Sequence, residues 1–342
     1  MSGAQPSALH QLSGPSEVRV GRRLDGFAEA PWRRFTEASQ APVFYSWDFL
    51  RSIEALPLTS GSEPYYLWTE DDDGELTAAT VVYGQTAVNP FGAAGSAPEP
   101  MLVGHLWHCY DSRLLSVRPL DRPLVDAFAG ALDELAEELG MASRGLHNLD
   151  RSGELVQLAQ PLSDGASRYQ LRPSGTDSLD SHLELVGRSS RRTMRKYCRR
   201  AAEDGLQVSF LAPADGLADD VLALCLATAD KHAPGYYPPD ALAQLLHSLG
   251  EDCRILRLEL DGTLLACSIC LLDANSAHFW AGGSLYPAEL NWSPQYVLFA
   301  EELAHGFASG KPVLEFGRRN DEFKLRYGLH PQPLASWVWG AR

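Results

Sequence analysis

The 342-residue chain has no apolar run of 18 residues, which excludes an ordinary membrane-spanning helix. Its opening stretch, MSGAQPSALHQLSGPSEV, lacks a basic segment followed by an apolar one. It therefore does not have the form of a signal peptide and reads as a flexible leader over residues 1–20. Cysteine is sparse: of six, only Cys267 and Cys270 are closely spaced, inside the apolar segment LLACSICLLD. With no second pair or histidine cluster beside them, no metal site is expected. Reduced core cysteines in a cytoplasmic protein are. Cations are also scarce, 29 Lys and Arg against 44 Asp and Glu, for a net charge of −15. Non-specific coating of DNA rests on neutralising phosphates, so this balance argues against it while leaving room for a local basic site.

What is present is ordinary globular sequence, 45% apolar and 21% charged, and long enough for two domains with separate cores. Residues 65–84, YYLWTEDDDGELTAATVVYG, and 254–272, RILRLELDGTLLACSICLL, share one pattern: an apolar strand, a turn carrying Asp-Gly and a second strand opening on small residues. That is a β-hairpin signature, repeated. Helical stretches precede both hairpins, at 46–56 and 217–232. Amphipathic helices follow them, at 124–140 and at 294–310, where Gly310 is placed as a C-cap. The pattern predicts an α+β duplication: an N-terminal domain over 21–172 and a C-terminal domain over 173–342.

The densest charge lies in RSSRRTMRKYCRRAAEDGL (188–206), where seven of thirteen residues from Arg188 to Arg200 are basic. A helix opening near Ser189 or Ser190 aligns Arg188, Arg192, Arg195 and Arg199, with Arg191, Lys196 and Arg200 widening the stripe. It reads either as a solvated basic face or as a site for the phosphates of a nucleotide, a coenzyme or an RNA, since arginine binds phosphate oxygens in pairs. DKHAPGYYPPDALAQLL (230–246) holds a rigid aromatic loop, with His232 and Tyr236 as ligand candidates and core cover as the alternative. In HFWAGGSLYPAELNWSPQYVLF (278–299) a strand ends at Gly-Gly and a helix starts at Ser293-Pro294; Trp280, Ser284 and Tyr296 are the candidates there. FGRRNDEFKLRYGLHP (316–331) adds Arg318, Asn320, Phe323 and Lys324. Lys324 reads either as a partner for a developing negative charge or as a surface salt bridge to Glu315, Asp321 or Glu322.

Taken in order, these segments resemble the Fem-type and leucyl/phenylalanyl-transferase-like branch of the GNAT acyltransferases. The resemblance covers roughly 180–335, and reaches the first half only through the duplication that tandem-domain members share. It implies two tandem GNAT-like domains, each a mixed, mostly antiparallel sheet flanked by helices. It further implies an N-acyltransferase in which an amine attacks an activated acyl group directly. Phe323 and Lys324 match the family's Phe-Lys pair, whose lysine is held to stabilise the tetrahedral oxyanion. The chain lacks the long coiled-coil insertion of cell-wall Fem proteins. Nor do YPAELNWSPQ or VRPLDRPLV contain the glycines of the loop that grips the coenzyme A pyrophosphate. The implied donor is therefore aminoacyl-tRNA, with the arginine-rich helix meeting its phosphates, no bound cofactor, and the amine of a small molecule as acceptor. An acyl-CoA or carrier-protein thioester donor is the alternative, and a non-catalytic ligand-binding protein the other. The first domain, with His108 facing the acceptor, is expected to shape the cleft without catalysing.

Overall fold

The computed structural model describes residues 17–87, 98–173, 175–231 and 233–340. Most of the expected leader lies outside these residues, as does His232; the leader's end belongs to the first strand. Eight strands form one sheet and seven a second. In the first half come β1 (Arg19–Gly21), β2 (Glu63–Glu70), β3 (Leu76–Ala87), β4 (Glu99–Gly104), β5 (Leu115–Ser116), β6 (Ser143–Asp150) and β7 (Ser163–Asp164). Then follow β8 (Arg168–Leu171), β9 (Gln207–Leu211), β10 (Cys253–Leu260), β11 (Thr263–Leu272), β12 (Ser276–Ser284), β13 (Val313–Arg318) and β14 (His330–Gln332). β15 (Leu334–Gly340) ends the described chain. The helices are α1 (Glu29–Ala38), α2 (Trp47–Ala55), α3 (Arg122–Leu139), α4 (Glu154–Leu158), α5 (Leu179–Leu185), α6 (Arg188–Glu203), α7 (Pro213–Gly216), α8 (Asp219–Asp230), α9 (Pro239–Leu249), α10 (Pro294–Ala308) and α11 (Asp321–Arg326).

The duplication is visible in both sheets. Their orders are β1-β2-β3-β4-β6-β15-β7 and, reversed, β9-β10-β11-β12-β13-β8-β14. Each contains the expected hairpin, β2–β3 or β10–β11, and each has one parallel pair, β4–β6 or β12–β13. The second hairpin turns on Asp261 and Gly262, whose φ values of 50° and 74° are the left-handed pair that a two-residue turn needs. α3 starts on Asp121, which accepts from the Leu124 amide, and stops at Gly140 with φ 65°. α10 ends earlier than its pattern predicts, at Ala308 with Ser309 as C-cap; Gly310 follows with φ 66°.

Sequence order and sheet membership part company at two strands. β8, which ends the first half, lies in the second sheet between β13 and β14, while β15, which ends the second half, lies in the first between β6 and β7. The two halves have exchanged their closing strands. Arg168 on β8 pins the exchange: 3% exposed, it pairs with Asp111 and Asp150 of the first half and with Glu315 of β13. These partners hold its charge firmly despite burial.

Candidate active site

The parallel pair β12–β13 hydrogen-bonds only over Ser276–His278 against Val313–Glu315, although β12 continues to Ser284 and β13 to Arg318. Beyond those rungs the strands part. On the other side β12 is held by α8, which leaves no room for side chains: a Cβ on Gly283 would lie 2.4 Å from the Thr228 hydroxyl and 2.6 Å from the Leu224 carbonyl. The opening is a cavity of about 380 Å³ bordered by Phe279 and Ser284 of β12, Phe316 of β13, Glu302 of α10 and the pair Phe323–Lys324 of α11. A second compartment of about 300 Å³ shares Trp280, Gly282, Phe316, Arg318 and Asn320 with it. This one is walled by His108 and Tyr110 of the first half and by Tyr236 and Tyr237. One cleft therefore runs from the split sheet to the junction of the two halves.

Lys324 is buried, 7% exposed, on the one-and-a-half-turn helix α11. Its ammonium donates to the carbonyl oxygens of Gly317 (3.1 Å) and Arg318 (2.9 Å), where β13 ends, and stands 5.3 Å from the centre of the Tyr169 ring on exchanged strand β8. The surface salt bridge weighed above is not what forms. Glu315, fully buried, is occupied by Gln170, Arg168 and the Gly317 amide. Burial lowers the Lys324 pKa to about 8 against the pull of Glu315, Glu302 and Asp321. Phe323 packs edge-on against Tyr296 and Phe299, ring centres 5.1 and 5.0 Å away, which fixes the neighbouring lysine.

Of the other candidates, Trp280, Ser284, Arg318, Asn320, Tyr236 and His108 all reach the cleft. Tyr296 does not. It packs between Tyr197, Phe323 and Tyr327, because its position on α10 faces α6 and α11 and not the split. Ser284 donates to the Gln295 amide oxygen at 3.1 Å. Arg318 reaches across the halves to the Asn148 amide oxygen and the Trp107 carbonyl. His108 is buried, with its Nε2 2.6 Å from the Tyr236 carbonyl; burial lowers its pKa to about 4, so the ring is neutral.

The basic segment is helical but begins at Arg188, capped by Gly187 with no side-chain contribution, and not at Ser189 or Ser190. Met194 and Ala201 face the core, so the cations are forced outward around a groove of about 720 Å³ lined by Arg188, Arg191, Arg192, Arg195, Lys196 and Arg199. The stripe is partly neutralised. Arg191 pairs with Glu184, Arg195 with Glu184 (2.9 Å) and Asp180 (3.4 Å), and Arg199 with Glu203 (3.4 Å). Among the described residues Arg188 and Arg192 have no ion-pair partner. The Tyr327 hydroxyl donates to the Ser190 carbonyl at 3.1 Å, tying the head of this helix to the end of α11.

Two comparisons bear on this arrangement. The family model described as an acetyltransferase (GNAT) domain matches residues 188–325, the span from the basic helix to Lys324 and its neighbour. Residues 188–325 are thus similar to a GNAT acetyltransferase domain. Solved structures share the complete two-sheet fold. FemX aligns with a TM-score of 0.61 at 10% identity over 90% of this chain and 96% of its own. L-PGS from Bacillus licheniformis aligns with a TM-score of 0.53 at 10% identity, over 96% and 94%. A tandem GNAT protein from the clavulanic acid biosynthesis pathway aligns with a TM-score of 0.52 at 12% identity, over 95% and 99%. At such identities these show the fold alone, which this chain shares with FemX and the tandem GNAT protein. No curated protein sequence matches.

Sequence reasoning missed Glu302, Gln295 and Ser268 in the first cavity and Tyr237 in its neighbour. Glu302 did leave a signal: it sits on the buried stripe of α10 with Leu298, Leu303 and Phe307. An acid on an apolar face is an exception worth reading. Among the described residues no cluster could hold a metal ion, and no helix is long and apolar enough to cross a membrane.

Proposed function

We propose that this chain is an N-acyltransferase that moves an aminoacyl group from aminoacyl-tRNA to the amine of a small molecule. The observation that carries the reading is a buried ammonium, Lys324, held by two backbone carbonyls at the mouth of the split between β12 and β13. The acyl carbonyl occupies the split with its oxygen toward Lys324, and the amine arrives from the compartment walled by His108, Tyr236 and Trp280. As the amine attacks, negative charge develops on that oxygen, and a preorganised ammonium in a water-poor site lowers the barrier by electrostatics. No protein nucleophile is needed, because the acceptor is one. The α6 groove supports a polyanionic donor: its cations lie beside α11, joined to it through Tyr327 and Ser190. Charged tRNA is made in the cytoplasm, where we place the reaction. The first half acts without catalysing, closing the far wall of the cleft.

An acyl-CoA or carrier-protein thioester is the second reading, favoured by the matched family's description as acetyltransferases. Incubation with a mixed pool of charged tRNA and, separately, with a set of acyl-CoAs decides between them. Consumption of aminoacyl-tRNA alone is expected, and consumption of an acyl-CoA alone overturns the donor assignment. A protein that consumes neither is a binder.

A further inference from the structure

We propose that Glu302 is the general base of the transfer, taking the proton from the acceptor nitrogen as that nitrogen attacks the acyl carbonyl. The inference rests on the transferase reading above and adds a residue to it. Glu302 lines the same split as Lys324, from the neighbouring helix α10. It is 8% exposed and flanked on its helix by the buried Leu298, Phe299, Leu303 and Gly306. A carboxylate on such a face costs free energy unless it is paired or hydrogen-bonded. Its support is meagre: only the Ser268 side chain on β11 and the charge of Lys324 favour its ionised form. A glutamine would fill this place with less penalty, so packing does not account for an acid here.

The other charged or titratable groups lining the cavity are Lys324, Arg318 at the end of β13, Lys231 beyond α8 and Tyr286 beyond β12. None is an acid, so Glu302 has no carboxylate rival for the proton. Burial raises its pKa to about 7, opposed by Ser268 and Lys324. A base poised there is half ionised near neutral pH, where it best combines availability with proton affinity. Glu302 must be ionised and Lys324 protonated, which confines activity to a band between about 7 and about 8.

The step balances. A C–N bond forms as the C–O bond to the tRNA ribose, or the C–S bond of a thioester, breaks. The amine proton passes to Glu302 and from there to the departing oxygen or sulfur, which restores the carboxylate.

The test uses the full chain, with a mixed pool of charged tRNA and acetyl-CoA as parallel donors and hydroxylamine as the small amine probe. Glu302→Gln is expected to keep its melting temperature and donor binding, to lose about 10²–10⁴-fold in turnover, and to lose the acid limb of the pH profile. Formate should restore part of the activity of Glu302→Ala. Ser268→Ala should stay active but carry its acid limb at higher pH, since a hydrogen bond that favours the carboxylate is gone. Glu302→Gln turning over at the wild-type rate with an unchanged acid limb overturns the proposal. If Glu302→Gln does not fold, the Ser268→Ala profile decides, and an unmoved limb overturns it. Unmutated protein that moves no acyl group from either donor overturns the transferase reading itself, and this inference with it.

Discussion

The indole N–H of Trp280, on β12, donates to the backbone carbonyl of His108 in the first half at 2.8 Å, while the rings of both residues wall the same compartment. The contact that joins the halves is thus also part of the cleft. Trp280→Phe strands that buried carbonyl, and a loss of about 1–3 kcal/mol in urea unfolding is expected. His108→Ala removes the side chain that holds the Tyr236 carbonyl, and should raise the acceptor's KM more than it lowers kcat. A fall in kcat alone would remove His108 from the acceptor wall.

Lys324→Ala should leave donor binding nearly intact and cut turnover about 10²–10³-fold, the usual loss for a removed oxyanion donor. Lys324→Arg should not restore it, because a planar guanidinium cannot fit between the Gly317 and Arg318 carbonyls as a compact ammonium does. A folded Lys324→Ala protein with full activity contradicts the assignment.

The same lysine sets a stability prediction whose sign follows from burial. Its folded pKa, about 8, is below its ordinary 10.5. Its contribution is therefore fully present above 10.5 and is lost as pH falls through 8. Relative to Lys324→Met, wild-type protein should gain in melting temperature as pH is raised from 7 toward 10. A difference that shrinks over that range would mean the ammonium is not desolvated.

Glu184 holds both Arg191 and Arg195 away from any ligand of the α6 groove. Glu184→Gln should tighten charged-tRNA binding at low salt. Arg188→Ala with Arg192→Ala should weaken it and reduce the slope of log affinity against log salt by about 1–2. Unaltered affinity and slope in both variants would return this helix to a solvated face.

Local patterns in the sequence foretold the local parts of the fold. The Asp-Gly turns gave both hairpins, and apolar spacing gave α3 and α10, since each of these is decided within a dozen residues. The exchange of β8 and β15 was not legible, because neither strand's partners are near it in sequence and both have ordinary apolar patterns. Likewise, the sequence singles out Phe323 and Lys324, which border the cavity, but not the two carbonyls that anchor the lysine, which are set by where β13 stops. Glu302 is hard to read from sequence because the apolar residues around it already account for the helical stripe. Tyr296 was misplaced because a helix start names a region and not a direction.

The interleaved sheets impose an order of events on synthesis. The first sheet lacks the strand between β6 and β7 until Leu334–Gly340 have left the ribosome, so the N-terminal half waits for those residues before its sheet can close. A fragment ending at residue 172 would expose the open flank of β6 together with an unpaired β8, a template for sticking to other copies. Neither half can then be lost, or borrowed by another protein, without the other.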